Sequence, residues 1–230
     1  MTTSAPDKTA APTALDPPRW NTARKLTVEG IGTFFLVFTV GSAVRSGSSL
    51  APLAIGAVLM VMVYAGGHIS GAHYNPAVTL AALVRGRIKP LAAVGYWIIQ
   101  LVAGVVAAVV VRLVVGVAPG RALSPTGHLL VDALVAELLF TFALAYVVLN
   151  VATSADHPNN SFYGLAIGFT VAAGAVAVGG ISGGAFNPAV LFGGMAMGIF
   201  GTSTVFYLIV ELLGAAAAGL VFRMLNPADA

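Results

Sequence analysis

The chain has 230 residues, of which 58% are hydrophobic and 8% charged, with a formal net charge of +3 and no cysteine. A soluble globular domain averages roughly 25% charged residues, so this chain cannot clothe a water-facing surface, and a lipid bilayer is its natural surrounding. The missing cysteines exclude disulfides, thiol ligands and thiol nucleophiles; the basic residues flank apolar stretches instead of forming a patch, so no nucleic-acid partner is expected.

Residues 1–21, rich in Pro, Ala and Thr, lack the apolar core of a secretion signal and read as a disordered cytoplasmic tail. Six apolar stretches follow, at residues 26–44, 50–67, 91–117, 129–151, 162–178 and 200–225. Each approaches or exceeds the roughly 20 residues that a bilayer-crossing helix needs. Strand-like alternation is absent, which argues against a membrane barrel. A channel-like domain is predicted over residues 22–225, with residues 226–230 as a C-terminal tail. If the N-terminus is cytoplasmic, Lys8, Arg19, Arg24, Lys25, Arg85, Arg87, Lys89 and Arg223 fall inside, while Arg45, Arg112 and Arg121 fall outside. That imbalance favours a cytoplasmic N- and C-terminus in an inner or plasma membrane.

The chain repeats itself. Leu-Ala-Ile-Gly at residues 53–56 returns at 165–168, and Asn75-Pro76-Ala77-Val78 returns as Asn187-Pro188-Ala189-Val190, both 112 residues later. Glu29 with Thr33-Phe34 is echoed by Glu137 with Thr141-Phe142, and Tyr96 and Gln100 by Tyr207 and Glu211. Two related halves result, residues 22–117 and about 128–225. Three crossings per half is an odd number, so the second half enters the membrane upside down. After each Asn, residues 76–84 and 188–197 are apolar but too short to span. They read as re-entrant half-helices, tolerated at membrane depth where protein or water surrounds their loops. Asn is a favoured N-cap and Pro a favoured first helical residue, so each Asn-Pro is a helix start, reached through Gly71 or through Gly183-Gly184. The predicted fold is an all-α membrane protein with six transmembrane helices and two half-helices in two inverted repeats. Two half-helix tips meeting near the bilayer centre bring positive dipole ends and Asn amide donors together, which repels cations and favours neutral, oxygen-bearing solutes.

Other polar residues admit plainer readings. Glu29 and Glu137 are intramembrane carboxylates, which can relay protons, but they serve more simply as acceptors for the backbone of the re-entrant loops. Gln100 and Glu211 are expected to bridge helices. His68 and His73 are too few ligands for a metal, so no metal site is predicted. His73 is expected to orient the loop or face the cytoplasmic mouth, with protonation-dependent gating as the alternative. Arg85, Arg87 and Lys89 read as edge charges, Arg112 as snorkelling to the outer interface, and His128 and His157 as loop residues without partners. No catalytic set or cofactor motif is present, so the chain is not read as an enzyme.

The segments HISGAHYNPAVTL at residues 68–80 and GGAFNPAV at residues 183–190 resemble the two pore loops of the aquaporin (major intrinsic protein) family. The likeness runs from about residue 24 to residue 223, with Glu29 and Glu137 at the family's positions on the first and fourth helices. The resemblance implies a homotetramer with one pore per subunit, and a filter built at Ile55, Ala175, Gly184 and Val190. Where the family usually carries arginine, this chain has Val190, and the usual aromatic and histidine are also missing. The implied filter is wide, apolar and poor in donors. It implies passage of water and small neutral solutes such as glycerol, urea, undissociated metalloid hydroxides or small organic acids. Two markers pull apart: Phe206-Tyr207 resembles a pair common in water-selective members, whereas Leu191 stands where glycerol channels usually have Asp. The rival readings are an ion-coupled secondary transporter of inverted-repeat type, with Glu29 or Glu137 as coupling residue, and a non-conducting scaffold protein.

Overall fold

A computed structural model of the protein describes residues 21–116 and 122–229. The predicted tail, apart from Asn21, and Arg121 lie outside these residues. Eight α-helices occur among them: α1 (Thr22–Ser46), α2 (Ala51–Ser70), α3 (Pro76–Arg85), α4 (Pro90–Val114), α5 (His128–Thr153), α6 (Tyr163–Ser182), α7 (Pro188–Ala196) and α8 (Tyr207–Leu225). Six of the described helical stretches are long and apolar enough to cross a membrane: α1, α2, α4, α5, α6 and Thr202–Leu225. At 10 and 9 residues, α3 and α7 are not. This is the predicted all-α class, six crossing helices with two half-helices between them.

Local chemistry starts and stops these elements. Asn21 caps α1, its side chain accepting from the Arg24 amide at 3.0 Å. Gly47 ends α1 in the left-handed conformation at φ 66°. Pro90 opens α4 at the position where its missing N–H costs nothing.

The two repeats pack alike. In the first, α1 lies against α2 and α4; in the second, α5 lies against α6 and α8. The repeats join where α2 crosses α6 and where each half-helix inserts into the other half, α3 against α8 and α7 against α4. At the α2–α6 crossing, Gly56 meets Gly168, its counterpart 112 residues on. A Cβ on Gly56 would sit 2.6 Å from the Gly168 carbonyl oxygen and 2.7 Å from the Ala172 Cβ. Only hydrogen at both positions lets the backbones approach this closely. Outward faces are apolar, with Leu91 86% and Val176 74% exposed, as lipid-facing surfaces should be. Glu29, Gln100, Glu137 and Glu211 point inward and are fully buried.

Several boundaries differ from the sequence reading. The last crossing does not begin at Phe200. That residue pairs with Leu123 in an isolated bridge, Thr202–Phe206 forms a 3-10 turn, and α8 starts at Tyr207. The reason lies in the flanking glycines: Gly198 adopts φ 81°, and the Gly201 amide donates to the Leu123 carbonyl at 2.7 Å, which pulls the chain sideways before the helix can form. Within the predicted C-terminal tail, Pro227–Asp229 forms a further 3-10 turn. Nor are His128 and His157 partnerless loop residues. His128 begins α5 with Nδ1 2.9 Å from an Asp132 oxygen, and His157 meets Phe162 edge to face.

Candidate functional site

The site grows from two loops of unusual backbone. Helices α2 and α6 stop at Gly71 and Gly183, with φ 89° and 87°. Left-handed φ then recurs at Ala72 (50°), Tyr74 (50°), Gly184 (68°) and Phe186 (49°). For a non-glycine residue such a conformation costs about 1–3 kcal/mol and persists only where its surroundings over-determine it. Here they do. Tyr74 is buried against Gly32 and Gly66, with its hydroxyl donating to the Met62 carbonyl at 2.9 Å. Phe186 packs on Phe140 with ring centroids 5.4 Å apart.

The buried carboxylates meet the loop amides. Glu29 Oε1 accepts from the His73 amide (2.9 Å) and the Ser70 hydroxyl (2.7 Å). Its Oε2 accepts from the Tyr74 amide (2.7 Å) and the Gln100 side chain (2.9 Å). In the second repeat Glu137 accepts from the Ala185 (3.0 Å) and Phe186 (2.7 Å) amides. Glu211 takes the Asn187 amide at 3.1 Å, while its other oxygen has no partner. Backbone donors of these loops are thus satisfied from neighbouring helices.

At the tips, Asn75 Oδ1 accepts from the Ala77 (2.8 Å) and Val78 (3.4 Å) amides and caps α3. Asn187 Oδ1 accepts from the Ala189 amide (2.8 Å) and caps α7. The amide nitrogens cross between repeats: Asn75 Nδ2 donates to the Phe186 carbonyl (2.8 Å) and Asn187 Nδ2 to the Tyr74 carbonyl (2.9 Å). Each amide therefore has its oxygen engaged and one of its two N–H groups engaged. The remaining N–H is a donor. Pro76, Ala77, Pro188 and Ala189 form the buried first turns behind these caps.

Asn75 and Asn187 line one narrow passage together with residues that fall into repeat-related pairs: Leu36 and Leu144, Val40 and Val148, Ile55 and Ile167, Leu59 and Val171, Val78 and Val190, Ala72 and Gly184, His73 and Ala185. The lining is an aliphatic sleeve, nearly symmetric about the tips, with His73 as its one asymmetric polar member. Of the four sequence-predicted filter positions, Ile55, Gly184 and Val190 line the passage. Ala175 is not among the lining residues; it adjoins them, its Cα 3.6 Å from where a Cβ on Gly184 would lie. The passage has about 20 Å³ for water centres, room for one or two waters at about 10–15 Å³ each. Its lining is apolar: Ile55, itself a filter position, lines it together with Leu59, Leu144 and Ile167 from both repeats.

His73 sits at the boundary between the passage and a vestibule of about 300 Å³ that also touches Lys25, Arg87 and Tyr96. Its Nδ1 lies 3.0 Å from the Thr79 hydroxyl. Arg87 is not a free edge charge: it donates to the Thr153 carbonyl (2.9 Å) and to Asp229 (3.0 Å). Arg85 Nη2 lies 2.7 Å from the same Asp229 oxygen, an ion pair without hydrogen-bond alignment. The Ala155 amide donates to the other Asp229 oxygen at 2.8 Å. That amide first, and the two guanidinium groups after it, hold the Asp229 carboxyl below the usual carboxylate range. Sequence reasoning missed Asp229 and the carbonyls of Tyr74 and Phe186. An aromatic residue before each Asn, at the same 112-residue offset, was the available signal for the latter pair.

Two inverted repeats of three crossing helices, with paired half-helix tips flanking a passage, define a six-helix membrane channel. The family model described as Major intrinsic protein matches residues 16–222. The chain is 40% identical over 214 residues to a probable aquaporin TIP2-2 of Oryza sativa subsp. japonica, covering 85% of this chain and 84% of that protein. It is 36% identical over 221 residues to glycerol uptake facilitator protein-like 6 of Lactiplantibacillus plantarum, covering 90% of this chain and all of the other. In fold it is similar to the aquaglyceroporin from Plasmodium falciparum, with TM-score 0.71 and 23% identity over 90% of this chain and 96% of that one. The chain belongs to the major intrinsic protein family. It is a multi-pass membrane protein and a passive channel for water and small solutes, not an enzyme.

Proposed function

We propose that water and small neutral solutes pass in file between Asn75 and Asn187, through an apolar filter formed by Ile55, Gly184 and Val190 with Ala175 behind Gly184. The observation that carries this reading is the orientation of the two amides. With their oxygens used on the caps, they offer only donors to a passing molecule. Two positive helix ends at the same point oppose a cation. At the filter, Val190 supplies neither the charge nor the donors of an arginine, so exclusion of larger neutral solutes rests on aliphatic crowding alone. Glycerol-sized solutes then pass when Ile55 and Leu59 change rotamer. Glu29, Glu137 and His73 support the loops.

An ion-coupled transporter needs an ionisable group free on the path. Both oxygens of Glu29 and of Glu137 are instead occupied by loop donors, which supports the channel. The further proposals are a homotetramer in the plasma membrane, with both termini cytoplasmic.

The test is osmotic swelling of proteoliposomes with water, glycerol and urea, with and without proton or sodium gradients. Flux down the solute gradient that ignores ion gradients is expected; gradient-driven accumulation would overturn the channel reading. Val190→Arg is expected to suppress glycerol and urea flux while largely sparing water. Unchanged glycerol flux in that variant would remove position 190 from the filter.

A further inference from the structure

The half-helices have a second end, and the same kind of group meets it in both repeats. On α4, Arg112 donates to the Ala196 carbonyl in the last turn of α7 at 3.2 Å. On α8, Arg223 donates to the Val84 carbonyl in the last turn of α3 at 3.3 Å. From Arg112 to Arg223 is 111 residues, and from Val84 to Ala196 is 112. The two contacts are therefore one interaction, repeated and inverted. In each, a cation from the third crossing helix of one repeat reaches the C-terminus of the other repeat's half-helix. Arg45 reinforces the α7 end: buried, it donates to the Met197 carbonyl at 2.6 Å, to Val111 at 3.3 Å and to Gly116. At the α3 end Arg85 and Arg87 are countered by Asp229, with which Arg223 makes no ion pair.

We infer that Arg112 and Arg223 are specificity-determining residues that strengthen ion exclusion from outside the pore. A half-helix carries about half a positive charge at its N-terminus and half a negative charge at its C-terminus. A cation at the pore centre is repelled by the near positive poles and partly compensated by the far negative ones. An arginine on each far pole cancels that compensation. The poles of a half-helix of 10 residues lie about 15 Å apart at 1.5 Å per residue. At that distance and an effective dielectric constant of about 20, one unit charge alters cation occupancy by at most about sixfold. Both arginines are exposed, so water and salt reduce this. Neither residue lines the passage, so solute flux does not depend on them.

The inference rests on the proposed barrier at the paired tips, and the experiment separates the two. Proteoliposomes containing a trapped pH dye and a potassium diffusion potential report proton leak; the same vesicles report water and glycerol flux. The double variant Arg112→Gln with Arg223→Gln keeps donors but loses both charges. It is expected to leak protons at least threefold faster than the parent, with water and glycerol flux unchanged and the excess shrinking in high salt. Arg112→Lys with Arg223→Lys is expected to behave as the parent. A Gln pair that conducts solutes but leaks no faster overturns the inference and leaves the channel standing. A Lys pair that leaks as much as the Gln pair also overturns it, since charge is then not the cause. If the parent itself conducts no solute, the proposed function fails instead. Should the Gln pair not fold, Arg112→His with Arg223→His replaces it. Its leak relative to the parent, at matched pH, is expected to rise between pH 5.5 and pH 8 as the imidazoles lose charge; a flat ratio overturns the inference.

Discussion

Replacing Glu29 by Gln and Glu211 by Gln, one at a time, makes the same chemical change at two buried sites and should give opposite results. Glu29 is an acceptor for four donors, two on each oxygen. Glutamine retains one oxygen, so whichever way its amide turns, two donors face an NH2 group. Rotation of the Gln100 amide can rescue one of them; the other, the Tyr74 amide in one orientation, stays orphaned. Hydrogen bonds to charged groups contribute about 1.5–3 kcal/mol each, and a stranded buried donor costs about 1–3 kcal/mol. Within membranes the reference state finds substitutes, which lowers such values. The expected loss is about 2–4 kcal/mol, or a fall in melting temperature of roughly 5–15 °C for a chain of this size. Glu211 accepts one bond, from the Asn187 amide, and its second oxygen is unpartnered. Glutamine there keeps the one bond, reproduces the neutral Gln100 of the first repeat, and removes a buried carboxylate. Its melting temperature should stay within about 3 °C of the parent's or rise. The assay is recovery of folded protein by size exclusion after heating in detergent, with water permeability of vesicles as the functional readout. If Glu29→Gln melts with the parent, or if both variants fall equally, acceptor geometry is not what supports the loops.

Gly56→Ala should destabilise by about 1–3 kcal/mol, the usual range for overpacking a filled contact, because its Cβ would meet the Gly168 carbonyl at 2.6 Å. Gly179→Ala on α6, with nothing within 4 Å, serves as the control and should be neutral or slightly stabilising; equal shifts in a thermal melt would discredit the crossing. Asp229→Asn should loosen the loop that follows α5, read as faster hydrogen exchange at Ala155 near pH 7. In the parent the Asp229 carboxyl is depressed by the Ala155 amide and then by Arg85 and Arg87. The stability it contributes is present above the ordinary carboxylate range and lost only as pH falls through the depressed value. Parent exchange that speeds up already between pH 7 and pH 5 would contradict this sign. Asn187→Asp should admit cations, since a carboxylate removes the donor and adds a negative charge at the tips; voltage-clamp currents no larger than those of the parent would refute it.

The duplication, the inversion and both half-helix starts were legible in the sequence because each depends on local or periodic chemistry. Asn-Pro is a helix start wherever it occurs, nine or ten apolar residues cannot span a bilayer, and an odd number of crossings must turn the second half over. The carboxylates' role could be anticipated for the same reason: loop amides at membrane depth must find acceptors, and Glu29 and Glu137 were the candidates. What the sequence left open were the contacts made between repeats. That the Tyr74 and Phe186 carbonyls take the opposite asparagine amides, that Arg112 and Arg223 reach the far ends of the opposite half-helices, and that Asp229 gathers Arg85, Arg87 and Ala155 all depend on how the repeats interlock. The width of the passage belongs here too. Small residues at Ala175 and Gly184 suggest an opening, but Ile55, Leu59, Leu144 and Ile167 line the passage from both halves, and only their meeting in space sets its width. Period and spacing are properties of one segment; a close approach is a property of two, and packing alone fixes it.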